Sequence, residues 1–154
     1  MVKLDGTDRK LLSLLQDFSK RTNKELANST GLSVTAVYER IRRLEREGII
    51  KNYVAILDKE KIERSFAALC HIKLIQHSKS FVTRFEKEVL KLQEVSECYH
   101  VSGDYDYIIK VHVKDMEAYR EFMVNKLTAL DSIGSTHSTF VIGELKNSTA
   151  INLL

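Results

Sequence analysis

Apolar positions recur with two different periods along this chain, and the change falls near residue 60. In the first part the spacing is helical. Leu11, Leu12, Leu14, Leu15 and Phe18 fall on one side behind Asp5 and Thr7, both good N-caps, and predict a helix over about residues 6–18. Thr22-Asn23-Lys24-Glu25 has the S/T-x-x-E form of a capping box, which satisfies two orphan amide donors at a helix start. The short helix it opens ends before Gly31, a residue suited to the left-handed turn between two steeply crossing helices. Ser33 can cap a third helix, with Val34, Val37, Ile41 and Leu44 on its apolar face and Glu47-Gly48 at its close. Ile49 to Leu57 then reads as β, either a wing or a connecting strand, and polar Asp58-Lys59-Glu60-Lys61 marks a boundary.

Beyond the boundary the period alternates between two and 3.6 residues. Phe66 to Ile75 is β-prone, with Ala68, Cys70, Ile72 and Leu74 on one face. Phe81, Val82, Phe85, Val89 and Leu92 predict a helix over 79–92, and residues 95–101 return to strand alternation. Ser102-Gly103-Asp104 is a turn before the clearest strand, with Tyr107, Ile109, Val111 and Val113 inward and Ile108, Lys110, His112 and Lys114 outward. A second helix is expected over 115–130, with Met116, Tyr119, Phe122, Met123, Leu127 and Leu130 apolar, and a last strand over about 135–146 centred on Phe140, Val141 and Ile142. The order β-α-β-β-α-β predicts a ferredoxin-like sandwich whose sheet is covered by helices on one face only. The other face is left for a partner subunit or a ligand, and dimerisation is the expected use.

The N-terminal pattern carries a specific chemistry. Ala27, Gly31 and Val37 stand at offsets zero, four and ten. A helix-turn-helix needs a small residue where two helices approach, a glycine in the turn and an apolar anchor in the second helix. Opposite the apolar stripe, the third helix presents Thr35, Ala36, Tyr38, Glu39, Arg40, Arg42, Arg43 and Arg46. In a major groove, Thr35, Ala36, Tyr38 and Glu39 would meet base edges and the four arginines phosphates or guanines. Thr22, Asn23, Lys24 and Ser33, at helix N-termini, are further phosphate candidates.

Charge placement agrees. Residues 1–60 hold twelve Lys/Arg against nine Asp/Glu, whereas residues 61–154 hold twelve of each, so the whole net charge of +3 lies in the N-terminal part. No apolar run approaches the ~20 residues that span a bilayer, and Met1-Val2-Lys3-Leu4-Asp5 lacks the shape of a signal peptide. A cytoplasmic protein without membrane contact is expected. Cys70 and Cys98 match no CxxC or zinc spacing and are expected as reduced, buried thiols. The five histidines show no ligand grouping, so neither a metal nor a cofactor is expected.

No catalytic constellation emerges either. Asp104 and Asp106 flank a turn and point differently, and no nucleophile-elbow glycine pattern accompanies the serines. A non-enzyme is expected. Ser102-Gly103-Asp104-Tyr105-Asp106-Tyr107 has one glycine, too few for a phosphate loop. Its amides would instead suit a carboxylate and its acids an ammonium, the two ends of a zwitterion; a plain β-turn is the competing reading.

With both halves read, the chain closely resembles the leucine-responsive/asparagine-responsive (Lrp/AsnC, feast/famine) regulator family over nearly its whole length. Leu4-Asp5 with Asp8, Gly31-Leu32-Ser33, the run from Glu39 to Ile50, Val101 to Tyr107, and Asp115-Met116-Glu117-Ala118-Tyr119 carry the likeness. The resemblance implies an α+β chain: a winged helix-turn-helix joined to a ferredoxin-like βαββαβ regulatory (RAM/ACT-like) domain. On that reading residues 1–50 bind double-stranded DNA, 51–64 connect, and 65–154 sense a ligand and oligomerise. It also implies homodimers assembling to homo-octamers and an amino-acid effector bound between neighbouring dimers. The matching positions are Ser102, Gly103, Asp104, Tyr105 and Asp106, joined by Thr136, His137 and Ser138 on the last strand. One departure is Val34, where many members have a proline that only pre-sets the first helical turn. The expected function is a sequence-specific transcription regulator responsive to an amino acid. An architectural, nucleoid-type DNA binder is the alternative, and a small α+β enzyme built on the SGDYDY turn is a distant third.

Overall fold

The computed structural model describes residues 3–153; Met1, Val2 and Leu154, the outer ends of the two expected domains, lie outside the described residues. Its contacts divide the chain into two units, each with its own core. The first runs to Ile56 and takes in the tail from Leu145; the second is Leu57–Glu144.

The first unit is built on three capped helices. In α1 (Gly6–Asp17) the Asp5 side chain accepts from the Asp8 amide while the Asp8 side chain accepts from the Asp5 amide, a reciprocal capping box made of two aspartates. Thr22 and Glu25 form the expected box at the start of α2 (Asn23–Thr30), and Ser33 caps α3 (Val34–Arg46) by accepting from the Ala36 amide. Gly31 takes φ +72° at the end of α2. After α3, Gly48 takes φ +70°, and the Ile49 and Gly48 amides donate to Leu44 and Glu45 carbonyls, the Schellman arrangement that satisfies the last carbonyls of a helix. The three helices close over Leu11, Leu15, Leu26, Ala27, Val37 and Ile41. Residues 49–57, expected as a strand, form no hydrogen-bonded ladder among the described residues, because the chain offers their backbone no neighbouring strand. The tail, assigned by sequence to the C-terminal domain, packs on α1. Gln16 there donates to the Ile151 carbonyl and accepts from its amide, and Arg9 donates to the Leu153 carbonyl.

The second unit has the order β1 (Phe66–Leu74), α4 (Lys79–Val89), β2 (Val95–His100), β3 (Tyr107–Val113), α5 (Met116–Phe122) and β4 (Ile133–Phe140). Its antiparallel sheet runs β2-β3-β1-β4, the arrangement that the βαββαβ reading requires. Every second residue of β1 and β3 faces the helices. Ala68, Cys70, Ile72 and Leu74 bury against Tyr107, Ile109, Val111 and Val113, with Phe85 and Val89 of α4 and Tyr119 and Phe122 of α5 closing the layer. Tyr119 Oη, which donates to Ser138 Oγ at 2.6 Å and sits 2.9 Å from Cys70 Sγ, finds polar partners inside that layer. Burial pushes the Cys70 thiol pKa up. Cys70 is a free, buried thiol as expected, whereas free Cys98 is only half-buried.

Three differences from the expected elements share a cause at element ends. Phe18, Val34 and Met116 were expected on buried faces but are about half exposed, because each is a terminal residue where the backbone leaves the packed side. The expected 115–130 helix is regular only to Phe122. Met123–Leu127 forms a π-helical turn in which Thr128 donates from both its amide and its hydroxyl to the Met123 carbonyl, and the wider turn brings Leu127 into the core. Finally, β4 ends at Phe140 instead of centring there. Val141 makes the last bond, to the Ala67 carbonyl, and Ile142 beyond it is fully exposed.

Candidate DNA-binding face and regulatory loop

Once Val37, Ile41 and Leu44 are buried, α3 has one stripe left in solvent: Thr35, Tyr38, Glu39, Arg42 and Arg46. Apart from the adjacent Tyr38 and Glu39, these positions are spaced by three and four, so they form one continuous row along the helix. Ala36 is half-buried beside the Ser33 cap. Arg42 lies 3.6 Å from Glu45 in an exposed pair, and Tyr53 Oη donates to the same glutamate at 3.0 Å. Burial, with help from Glu45, pushes the Tyr53 phenol up to about 12, so it remains a donor at neutral pH. An open cleft beside the row is lined by Leu15, Leu26, Tyr38, Ile41, Arg42 and Tyr53.

Arg40 and Arg43 are placed differently. The sequence put all four arginines on the outer face, yet these two reach back to α1. Arg40 Nη1 donates to Asp5 Oδ2 at 2.7 Å and Asp8 Oδ1 at 2.8 Å, and Arg43 Nη2 donates to Asp8 Oδ2 at 2.6 Å. The Asp8 side chain is 1% exposed. A carboxylate that deep is tolerable only with opposite charge and hydrogen bonds at hand, and the two guanidiniums with the Asp5 amide provide both. Asp8 was named in the sequence only as part of a family likeness. Its link to residues 32 and 35 positions away leaves no local signal. Thr22 commits both its hydroxyl and its amide to Glu25, whereas the Ser33 hydroxyl accepts from the Ala36 amide and keeps its own O–H for an anion; Asn23 and Lys24 open α2 after Thr22.

In the second unit the loop between β2 and β3 stands on a fastened base. Asp106 Oδ2 accepts from the Leu74 amide at 2.8 Å, Oδ1 pairs with His77 Nε2 at 2.7 Å, and the Asp106 amide donates to the Ile72 carbonyl. Burial alone would raise the Asp106 pKa; the Leu74 amide and His77 outweigh it and hold the carboxyl below its usual range. From that base Ser102, Gly103 and Asp104 project into solvent, with Gly103 at φ +119°, a conformation that only glycine adopts without strain. Tyr105 turns to the helix-free face of the sheet, 5.1 Å from the His71 ring and 6.4 Å from that of His137, with Lys73 Nζ 5.9 Å from its centroid.

The three candidates on β4 do not share one face of the sheet. His137 pairs with His71 and lies on the open face, whereas Thr136 and Ser138 pair with the inward residues Ile72 and Cys70 and point to the helix side. Strand alternation forces this split. His71 and Lys73 are not singled out by the sequence, since only the pairing of β1 within the sheet brings them beside Tyr105 of the loop.

Residues 67–151 match the family model of the Lrp/AsnC ligand binding domain, and residues 4–51 match that of a winged helix-turn-helix DNA-binding domain. Over 148 residues the chain is 38% identical to the leucine-responsive regulatory protein of Klebsiella pneumoniae, covering 96% of this chain and 90% of that one. Among solved structures it is similar to an AsnC family transcriptional regulator from Agrobacterium tumefaciens (34% identity, TM-score 0.92, 96% of each chain). It is also similar to a transcriptional regulator from Neisseria meningitidis solved as a complex with L-Met (30% identity, TM-score 0.93, 97% of this chain and 96% of that one). With a capped helix-turn-helix, a one-sided βαββαβ sheet and these relatives, the chain belongs to the Lrp/AsnC family of DNA-binding transcription regulators and carries that family's ligand-binding domain.

Proposed function

We propose that this regulator couples DNA occupancy to the level of an amino acid, and that the loop from Ser102 to Asp106 is where the amino acid is held. The observation that carries the reading is the contrast within that loop. Asp106 is tied to the β1 backbone, while the Ser102–Gly103 amides and the Asp104 carboxylate are left exposed above it. Amides there suit an α-carboxylate and Asp104 an ammonium, so the main-chain ends of any amino acid fit the same short turn. The solved relative in complex with L-Met supports the ligand class.

The protein acts as a cytoplasmic binder of double-stranded DNA and not as a catalyst. Homodimers form through the helix-free sheet face, where Leu69, Tyr99 and Ile108 offer apolar surface, and assemble further into homo-octamers. Paired α3 helices then read pseudo-palindromic half-sites about one helical turn apart, with Thr35, Ala36, Tyr38 and Glu39 toward base edges. No helix among the described residues is long and apolar enough to cross a membrane.

The test is a thermal-melt screen against the twenty amino acids at millimolar concentration. A ligand at about 100 times its dissociation constant adds roughly 2.7 kcal/mol to native stability. A melt raised by one or a few amino acids in the native chain, and not in Asp104→Ala, is the expected result. A flat panel, with DNA affinity indifferent to every amino acid, would instead favour an architectural DNA binder.

A further inference from the structure

Four arginines follow one another along α3, and their side chains divide into two kinds. Arg42 is 63% exposed, and among the described residues its ion pair is with Glu45 at 3.6 Å, a contact of little strength in solvent. Arg46 is exposed, four residues further along the same row. Arg40 and Arg43, at 29% and 34% exposure, both close on the 1%-exposed Asp8 carboxylate at hydrogen-bond distances of 2.6–2.8 Å, and Arg40 also holds Asp5. Two positive charges are thus matched by two negative ones on α1. Withdrawing either guanidinium to meet a phosphate would leave a buried carboxylate short of compensation, a cost that a solvent-exposed phosphate contact does not offset.

We infer that Arg42 and Arg46 are the cationic DNA contacts of α3, and that Arg40 and Arg43 are positioning residues that lock α3 against α1 through Asp8. The inference rests on the reading of α3 as the DNA-binding helix and deepens it. The contact pair continues the solvent row that begins at Thr35, Tyr38 and Glu39, so phosphate anchoring and base reading share one edge of the helix. The locking pair acts before DNA arrives, by fixing the angle at which that edge is presented.

The experiment measures the affinity of the full-length protein for a 40-base-pair duplex of random sequence across a salt series, alongside the thermal melt of each variant. Phosphate contacts set the slope of log affinity against log salt. Arg42→Ala and Arg46→Ala are each expected to reduce that slope by about one for every subunit bound, with the melt unchanged. Arg40→Met and Arg43→Met are expected to lower the melt and keep the native slope at temperatures where they remain folded. Should a methionine variant not fold, Arg43→Lys serves instead: it keeps the charge but loses the planar fork, so the melt falls and the slope stays. An unchanged slope in both Arg42→Ala and Arg46→Ala overturns the inference. So does a shallower slope with an undisturbed melt in Arg40→Met or Arg43→Met. Native protein that does not bind the duplex even at low salt would overturn the DNA-binding reading itself, which the variant comparison keeps distinct.

Discussion

Each unit of this protein hangs a candidate functional surface on one aspartate, and the two aspartates are held by different means. In the helical unit Asp8 is enclosed by two guanidiniums that come from α3. In the sheet unit Asp106 is held by a backbone amide of β1 and by His77. The cores explain the difference. The helical unit closes over a cluster of six buried side chains, too few to fix a helix angle by shape alone, whereas the sheet unit has a cluster of thirteen that already fixes its frame. Where apolar packing is thin, a paired charge sets the geometry. Where it is ample, the polar link only anchors a loop.

The strongest test of that contrast is removal of each carboxylate. Asp8→Ala strands two guanidiniums between α1 and α3, and a broken buried pair costs about 3–5 kcal/mol. Urea titration should show the helical unit melting first and DNA binding falling with it; a loss no larger than that of Asp106→Ala would break the comparison. Asp106→Ala leaves the Leu74 amide without its acceptor and should cost about 1–3 kcal/mol. The sheet should stay folded, so the effector-induced shift of the melt is the sensitive readout, and its persistence would remove Asp106 from the loop's support.

Smaller effects sharpen the picture within each unit. Ser33→Ala removes the hydroxyl that accepts from the Ala36 amide and should cost about 1 kcal/mol, visible as lower helix content and melt. A loss near zero would mean that the backbone at that turn is satisfied by solvent.

Acid sensitivity near neutral pH belongs to the sheet unit, because every histidine of the chain lies beyond residue 70. His112 is the informative one. Its Nδ1 lies 3.0 Å from Ser96 Oγ and its Nε2 is buried without a partner. Burial, with Lys59 and Lys110 nearby, lowers its pKa from 6.5. The unfolded chain therefore takes up a proton that the native one refuses, and stability falls as pH drops below about 6.5. The melt of the sheet unit should decline between pH 7 and pH 5.5, and His112→Gln should make that decline shallower. An identical profile in His112→Gln would assign the proton uptake elsewhere.

Much of this was legible in the residues. The capping box at Thr22, the cap at Ser33 and the glycines at 31 and 48 are local signals, and each element they bound begins or ends within a residue or two of its expected place. Strand alternation correctly divided β1 and β3 into inner and outer residues. The loop at 102–106 stood out by composition. Less legible were element ends, where Phe18, Val34 and Met116 keep an apolar identity without a packed neighbour, and the π-helical turn after Phe122, which no period of 3.6 announces.

By itself the sequence determined what depends on near neighbours along the chain: helix starts and stops, strand faces, the order βαββαβ and the family. Tertiary structure decided what depends on residues far apart. Arg40 and Arg43 are indistinguishable from Arg42 and Arg46 until α1 brings Asp8 beside them. Thr136, His137 and Ser138 form one candidate group until the register of β4 on β1 sends His137 to one face and its neighbours to the other. In both cases a side chain's role follows from the charge or the surface placed opposite it, and only the folded chain supplies that partner.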